Sequence, residues 1–303
     1  MVAMTARASR YVAGAAAGLA LTASLAGCKA DAGGDKASGG DEGKAKSGVH
    51  LTDAQAALDK ASKKTGDIKS FRATLSTSTE VSGQPTSTKG TLAFRLEPKP
   101  AMRLNIPKVT VGDKVNRGFE EILADDAVYL KIPALAKQVG KPWLGFSLSK
   151  LSQTTGIDVQ GMESQAHQVD PSLNAKMFTA SKDVHSAGKA TVDGVSTTHY
   201  EGTFTLADAL AKLGTDERAQ AQKIFGQAGF DKLDFDLWID GKQLPRKITL
   251  ATPPGSKLKL RTAMKYTAFN VPVAIKAPPK SQVADGTKLK GGGGADDGTG
   301  VPG

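Results

Sequence analysis

Side chains able to do covalent or acid-base chemistry are few in this sequence, and they are scattered. Its 303 residues hold four histidines, His50, His167, His185 and His199, and a single cysteine, Cys28. A zinc site needs three or four nitrogen, sulfur or oxygen donors at short, recurring spacings. His185 and His199 fall on the two predicted strands of one hairpin, with no third ligand at a telling spacing, so they read as polar surface residues. Asp234 and Asp236 flank Phe235 with period two, which puts both carboxylates on the polar face of a strand. Such a pair can share acid-base work, but a solvated strand face is the simpler reading. The sequence has no Gly-x-Ser-x-Gly elbow, no His-Glu-x-x-His pair and no phosphate loop. A binder rather than an enzyme is expected, with no metal and no cofactor.

Cys28 is different, because its context specifies a reaction. Met1 to Arg10 is a cationic segment carrying Arg7 and Arg10 and no acid. Tyr11 to Leu25 is apolar, too short for a comfortable membrane span, and ends in small residues. Leu25-Ala26-Gly27-Cys28 then resembles the bacterial lipobox, in which the thiol is diacylated and the chain is cut just before the cysteine. Residues 1–27 are therefore expected to be a signal peptide and Cys28 the lipidated residue. Two acyl chains anchor stably where one would be marginal. This predicts a protein held at the extracytoplasmic face of the cell membrane through acylated Cys28. A lone cysteine also forbids an intramolecular disulfide, so the fold must stand on its core.

Residues 28–48 are then the lipidated Cys28 and a flexible linker, Lys29 to Gly48, of Gly, Ala, Ser, Lys, Asp and Glu with nothing to bury. About twenty such residues span roughly 25 Å. Residues 286–303, with Gly291 to Gly294, read as a disordered tail. One domain is expected over residues 49–285, about 235 residues without an internal linker. The formal net charge of +10 is spread without a basic block or interleaved aromatics, so nucleic acid is not an expected partner. The charge reads as a solvated surface, with attraction to an anionic membrane face as the alternative.

The elements that must position any site are mostly strands. Phe71, Ala73, Leu75, Thr77 and Thr79 alternate with polar neighbours, the mark of a half-exposed strand. The pattern returns through Leu92, Phe94 and Leu96; Met102, Leu104 and Ile106; and Val128, Leu130 and Ile132. His185 to Val192, Asp193-Gly194 and Val195 to Phe204 predict a hairpin with an Asp-Gly turn. Leu233 to Ile239, Lys247 to Ala251 and Leu258 to Ala268 supply further strands. Helices are fewer. Thr52 to Gln55 reads as a capping box, with Leu58 and Ala61 on the face of Leu51 and Ala54. Asp170-Pro171 opens a helix over Leu173 to Ala180, and Thr205 caps Leu206 to Leu213. Thr215 begins another helix carrying Ile224 and Phe225. The predicted fold class is α+β: a strongly curved antiparallel β half-barrel with amphipathic helices packed on its concave face, enclosing an apolar cavity.

Several local motifs, in this order, resemble the LppX/LprG family of actinobacterial lipoproteins, which is LolA-like in fold. They are Val128-Tyr129-Leu130-Lys131, Lys141-Pro142-Trp143, Val192-Asp193-Gly194-Val195 leading to His199-Tyr200, Trp238-Ile239-Asp240, Leu244-Pro245-Arg246 and Ile275-Lys276-Ala277-Pro278. The resemblance covers roughly residues 50 to 285. It implies an apolar cavity for acylated lipids or glycolipids, carried or presented in the cell envelope, with an envelope transporter as a candidate partner. On that reading the cavity is lined by Leu75, Phe94, Leu104, Leu130, Phe235 and Leu237, with Leu206 and Leu210 as a lid. Trp143 and Trp238 are expected either to line a cavity or its mouth or to serve ordinary packing. The alternative is a non-enzymatic scaffold or sensor lipoprotein that binds another envelope protein, and the two differ in whether the core is hollow or filled.

Overall fold

A computed structural model describes residues 51–81, 83–148, 171–215, 218–219, 221–222 and 230–286. Cys28, the signal segment, the tether, His50, His167, Asp170, Ile224, Phe225 and the tail from residue 287 lie outside the described residues. The chain runs α1 (Leu51–Thr65), β1 (Ser70–Val81), β2 (Gln84–Arg95), β3 (Ala101–Val111), β4 (Lys114–Ala124), β5 (Ala127–Lys131), α2 (Pro133–Val139) and β6 (Trp143–Ser147). It continues through α3 (Pro171–Phe178), β7 (His185–Val192), β8 (Val195–Thr205), α4 (Leu206–Ala211), β9 (Lys232–Asp240), β10 (Pro245–Ala251), β11 (Lys259–Phe269) and β12 (Val283–Asp285).

All twelve strands share one sheet, in the order β12-β6-β5-β4-β3-β2-β1-β11-β10-β9-β8-β7. It consists of two antiparallel meanders joined where β1 pairs with β11, and it curves without closing. Tight turns make the meanders possible. Asp125 and Asp126 both take left-handed backbone (φ 53° and 58°), as do Asp193 and Gly194 (φ 47° and 79°). That geometry matches the twist of a hairpin, and short polar residues or glycine tolerate it.

Alternation gives the sheet a sealed inner face. Phe71, Ala73 and Leu75 of β1, Leu92 and Phe94 of β2, and Met102, Leu104 and Ile106 of β3 join Leu233, Phe235, Leu237 and Ile239 of β9 in one buried cluster. Phe71 lies 5.2 Å from the Phe94 ring and 5.4 Å from Tyr266, tying the central strand to both neighbours. Burying a side chain of this size contributes about 3 kcal/mol. Helices cover the face through Ala54, Leu58 and Ala61 of α1, Met177 and Phe178 of α3 and Ala209 of α4. The Gln55 amide of α1 donates to the Thr179 carbonyl at 2.9 Å, joining α1 to the end of α3. Asp183 then fixes the exit from α3, accepting from the Thr203 N–H and hydroxyl at 2.7 Å each and from the Ser181 hydroxyl. Burial pulls that carboxyl's pKa up, but these hydrogen bonds outweigh it and hold it below the usual carboxylate range. As expected, Thr205 caps α4, its side chain accepting from the Asp208 N–H.

The outer face carries a second, smaller core. Beyond β11 the chain crosses the back of the sheet, and Val273 and Ile275 pack with Ala101, Ile122, Ala124 and Trp143. The Ser70 hydroxyl donates to the Val271 carbonyl at 2.6 Å, and Lys141 donates to the Ser281 carbonyl. The strap ends in β12, which pairs parallel with β6.

Several expectations need correction. Helix α1 already includes Leu51, one residue before the capping box read at Thr52, and the Gln55 amide nitrogen donates to Thr179. The sheet is not wholly antiparallel, because β12 adds a parallel edge. Strands β4 and β6, helix α2 and the strap were not read from the sequence. Replacing Ile275, 5% exposed, by alanine is expected to cost about 2–4 kcal/mol in a denaturant titration. Val115→Ala on an exposed strand end should stay within about 0.5 kcal/mol. Equal midpoints for the two variants would show that the strap contributes nothing to stability.

Candidate functional site

The inner face is the candidate site, because the residues predicted to line a cavity gather there. Leu75, Phe94, Leu104, Phe235 and Leu237 are buried members of the main cluster. Leu130 and Leu210 are half-buried and pack against its border. Leu206 is half-buried too, but it stands outside that cluster. Most of these residues thus share the inner core, where the structure separates sealed positions from border ones. The second half of this wall is aromatic: Phe178 of α3 stacks on Phe235 at 4.9 Å, and Phe204 lies 6.0 Å from both.

One residue breaks the apolar wall. In β4, Glu121 pairs with Leu104 of β3 on one side and Leu130 of β5 on the other, so it shares their inward face. It is 3% exposed, and its Oε2 has no hydrogen-bond partner among the described residues. Its chain neighbour Glu120 points outward and pairs with Arg103 at 2.6 Å. Desolvation pushes the Glu121 carboxyl up to about 7. Sequence reasoning missed it because β4 was missed. Lys114, Asn116 and Arg117 are polar around an exposed Val115, and the adjacent Glu120 and Glu121 interrupt the alternation of Phe119 with Leu123.

On the outer face, cross-strand pairing assembles a polar group that sequence spacing had hidden. His199 and Glu201 of β8 stand opposite Trp238 and Asp236 of β9. Donor atoms of His199, Glu201 and Asp236 lie within 4.8 Å of one another, the number and kind a cation could use. Their present bonding is internal: His199 Nε2 meets Asp236 Oδ1 at 3.1 Å, while Arg261 approaches Asp236 at 3.9 Å. The imidazole also stacks on Trp238 at 4.2 Å, and Lys247 Nζ sits 4.1 Å from the same ring on β9's neighbour β10. This is a cross-strand stack that uses its own donors, so it reads as support for the sheet. Trp238 and Trp143 both lie on the outer face, so neither lines the inner one.

The buried acid makes a pH prediction. Its folded pKa of about 7 exceeds the ordinary 4.5, so the native state holds the proton more tightly than the unfolded chain. Its cost is absent below the lower value, grows as pH rises between the two, and is complete above the upper one. That amounts to about 3 kcal/mol of lost stability. Denaturant midpoints measured from about pH 5 to about pH 8 should fall more steeply for the wild type than for Glu121→Gln. Parallel profiles would mean that the carboxyl is not desolvated.

No protein-family model matches the chain. An uncharacterized 31.2 kDa protein in the rplA-rplJ intergenic region of Streptomyces griseus is 29% identical over 161 residues, 52% of each chain. The chain thus spans about half the length of that curated relative. Among solved structures, the Mycobacterium tuberculosis lipoprotein LppX is similar with a TM-score of 0.47 and 17% identity, over 75% of this chain and 100% of that one. LprF from Mycobacterium bovis gives 0.46 and 15%, over 75% and 97%. A LolA superfamily protein from Nitrosomonas europaea gives 0.28 and 11%, over 75% and 96%. None of these similarities transfers a residue role. The solved structures similar to this chain include LppX, LprF and a LolA superfamily protein, the group that the sequence motifs resemble.

Proposed function

We propose that this chain is a membrane-anchored lipoprotein that holds acylated lipids or glycolipids in an apolar space on the concave face of its sheet. Its task is to carry or present them in the cell envelope, with acylated Cys28 as the membrane tether. The observation that carries this reading is the inner face: an apolar wall running through β1, β2, β3 and β9, covered by amphipathic helices rather than by a second sheet. Acyl chains entering such a space leave water at a gain of about 0.8 kcal/mol per methylene. Transfer from a bilayer is close to neutral, which lets a carrier release what it takes. Leu75, Phe94, Leu104, Phe235 and Leu237 form the floor, with Leu130 and Leu210 at the border and Leu206 beside it. A second reading, a scaffold or sensor with a filled core that binds another protein, is favoured by the close stacking of Phe178 on Phe235.

The test is native mass spectrometry of the full chain released in detergent from its own or a related host's membranes. One acylated lipid per chain beyond the anchor is expected. Leu104 is fully buried, so a bulky or charged residue there would disturb folding itself. Half-buried Leu210 is the cleaner position. Leu210→Trp should lower lipid occupancy about tenfold, equivalent to 1.4 kcal/mol, and leave the melting temperature nearly unchanged. A folded wild type that carries no lipid, or equal occupancy in a folded Leu210→Trp variant, would move the assignment to the protein-binding reading.

A further inference from the structure

The wall that would face a lipid contains an acid that the fold does not need. On the same strand, the outward Glu120 is paired with Arg103, whereas the inward Glu121 sits between Leu104 and Leu130 with an oxygen that bonds to nothing described. A leucine at residue 121 would extend the wall at no desolvation cost. Buried unpartnered oxygens are rare in native proteins, and one at a ligand wall has a ready explanation in a partner that arrives with the ligand.

We infer that Glu121 is the polar recognition point of the inner face, its carboxyl accepting a hydrogen bond from a free hydroxyl on the bound acylated lipid. The inference rests on the lipid-binding reading above and adds the ligand's chemistry to it. Position supports it. Leu104 on one side is fully sealed, and Leu130 on the other is half-buried, so Glu121 stands where the wall passes from core to border. Charge supports a neutral group over a cationic headgroup. With its pKa raised to about 7 by desolvation, the carboxyl is neutral in a large share of molecules near neutrality, and no described cation compensates it. A neutral carboxyl can both accept from and donate to a hydroxyl, whereas an ammonium would be stripped of water for half a partner.

The experiment uses the full chain in detergent and two isotope-labelled probes with the same acyl chains. One is dipalmitoylglycerol, which has a free hydroxyl; the other is the dipalmitate of 1,2-propanediol, in which a hydrogen replaces that hydroxyl. Native mass spectrometry of an equimolar mixture reads the ratio bound. The wild type should prefer the free hydroxyl about tenfold, the loss expected when a buried acceptor is left unpaired. Glu121→Leu and the longer Glu121→Met should bind the two about equally and melt no lower than wild type, since each replaces an unpartnered acid with apolar surface. Glu121→Gln, which keeps an acceptor, should retain a preference. A wild-type ratio near one, or an unchanged preference in either apolar variant, would overturn the role of Glu121 while leaving lipid binding standing. A folded wild type that takes up neither probe would remove the lipid-binding reading, and this inference with it.

Discussion

A curved sheet that is apolar on one face cannot exist in water unless something covers that face. Here the long apolar residues of β1, β2, β3 and β9 point inward, and among the described residues the cover comes from α1, α3 and α4 rather than a second sheet. Small and large residues share that cover: Ala54, Leu58 and Ala61 of α1, Met177 and Phe178 of α3 and Ala209 of α4. The need to cover the inner face, and the economy with which it is covered, govern the rest of the molecule.

The two faces of the sheet divide the work. Outward residues stabilise the frame: the strap seats Val273 and Ile275 against Ile122 and Trp143, and the His199, Trp238 and Lys247 stack braces β8, β9 and β10. Asp240 does the same at the β9–β10 corner, where it accepts from the Lys242 and Leu244 N–H groups and from Arg246 Nε at 2.7 Å. A frame stabilised from behind can carry one unfavourable group on the inner face, and the desolvated Glu121 is that group. Proteins that break a local rule at one buried position commonly do so where they bind.

Much of this was legible in the sequence, for identifiable reasons. Strands with clean alternation, such as Phe71 to Thr79 and Leu233 to Ile239, appear where they were read, and the Asp193-Gly194 turn takes the left-handed backbone its residues favour. The inward leucines and phenylalanines followed from parity alone. What escaped was set by tertiary context. β4 carries apolar residues on both faces near its end, because Ile122 meets the strap while Leu123 meets the inner core, and this erases the period of two. The strap has no period at all. Helix α2 offered Pro133 at its start and Gly140 at its end, a signal that was available and not used. The outer histidine cluster depends on strand register, which spacing in one dimension does not contain.

The measurement that tests the central claim most directly is a crystal structure of the chain purified gently from its own membranes. Lipid binding predicts continuous acyl density between the inner strands and α1, α3 and α4, with its polar end within hydrogen-bond reach of the Glu121 carboxyl. Side chains of the inner face in mutual contact throughout, with no space and no density between sheet and helices, would contradict it.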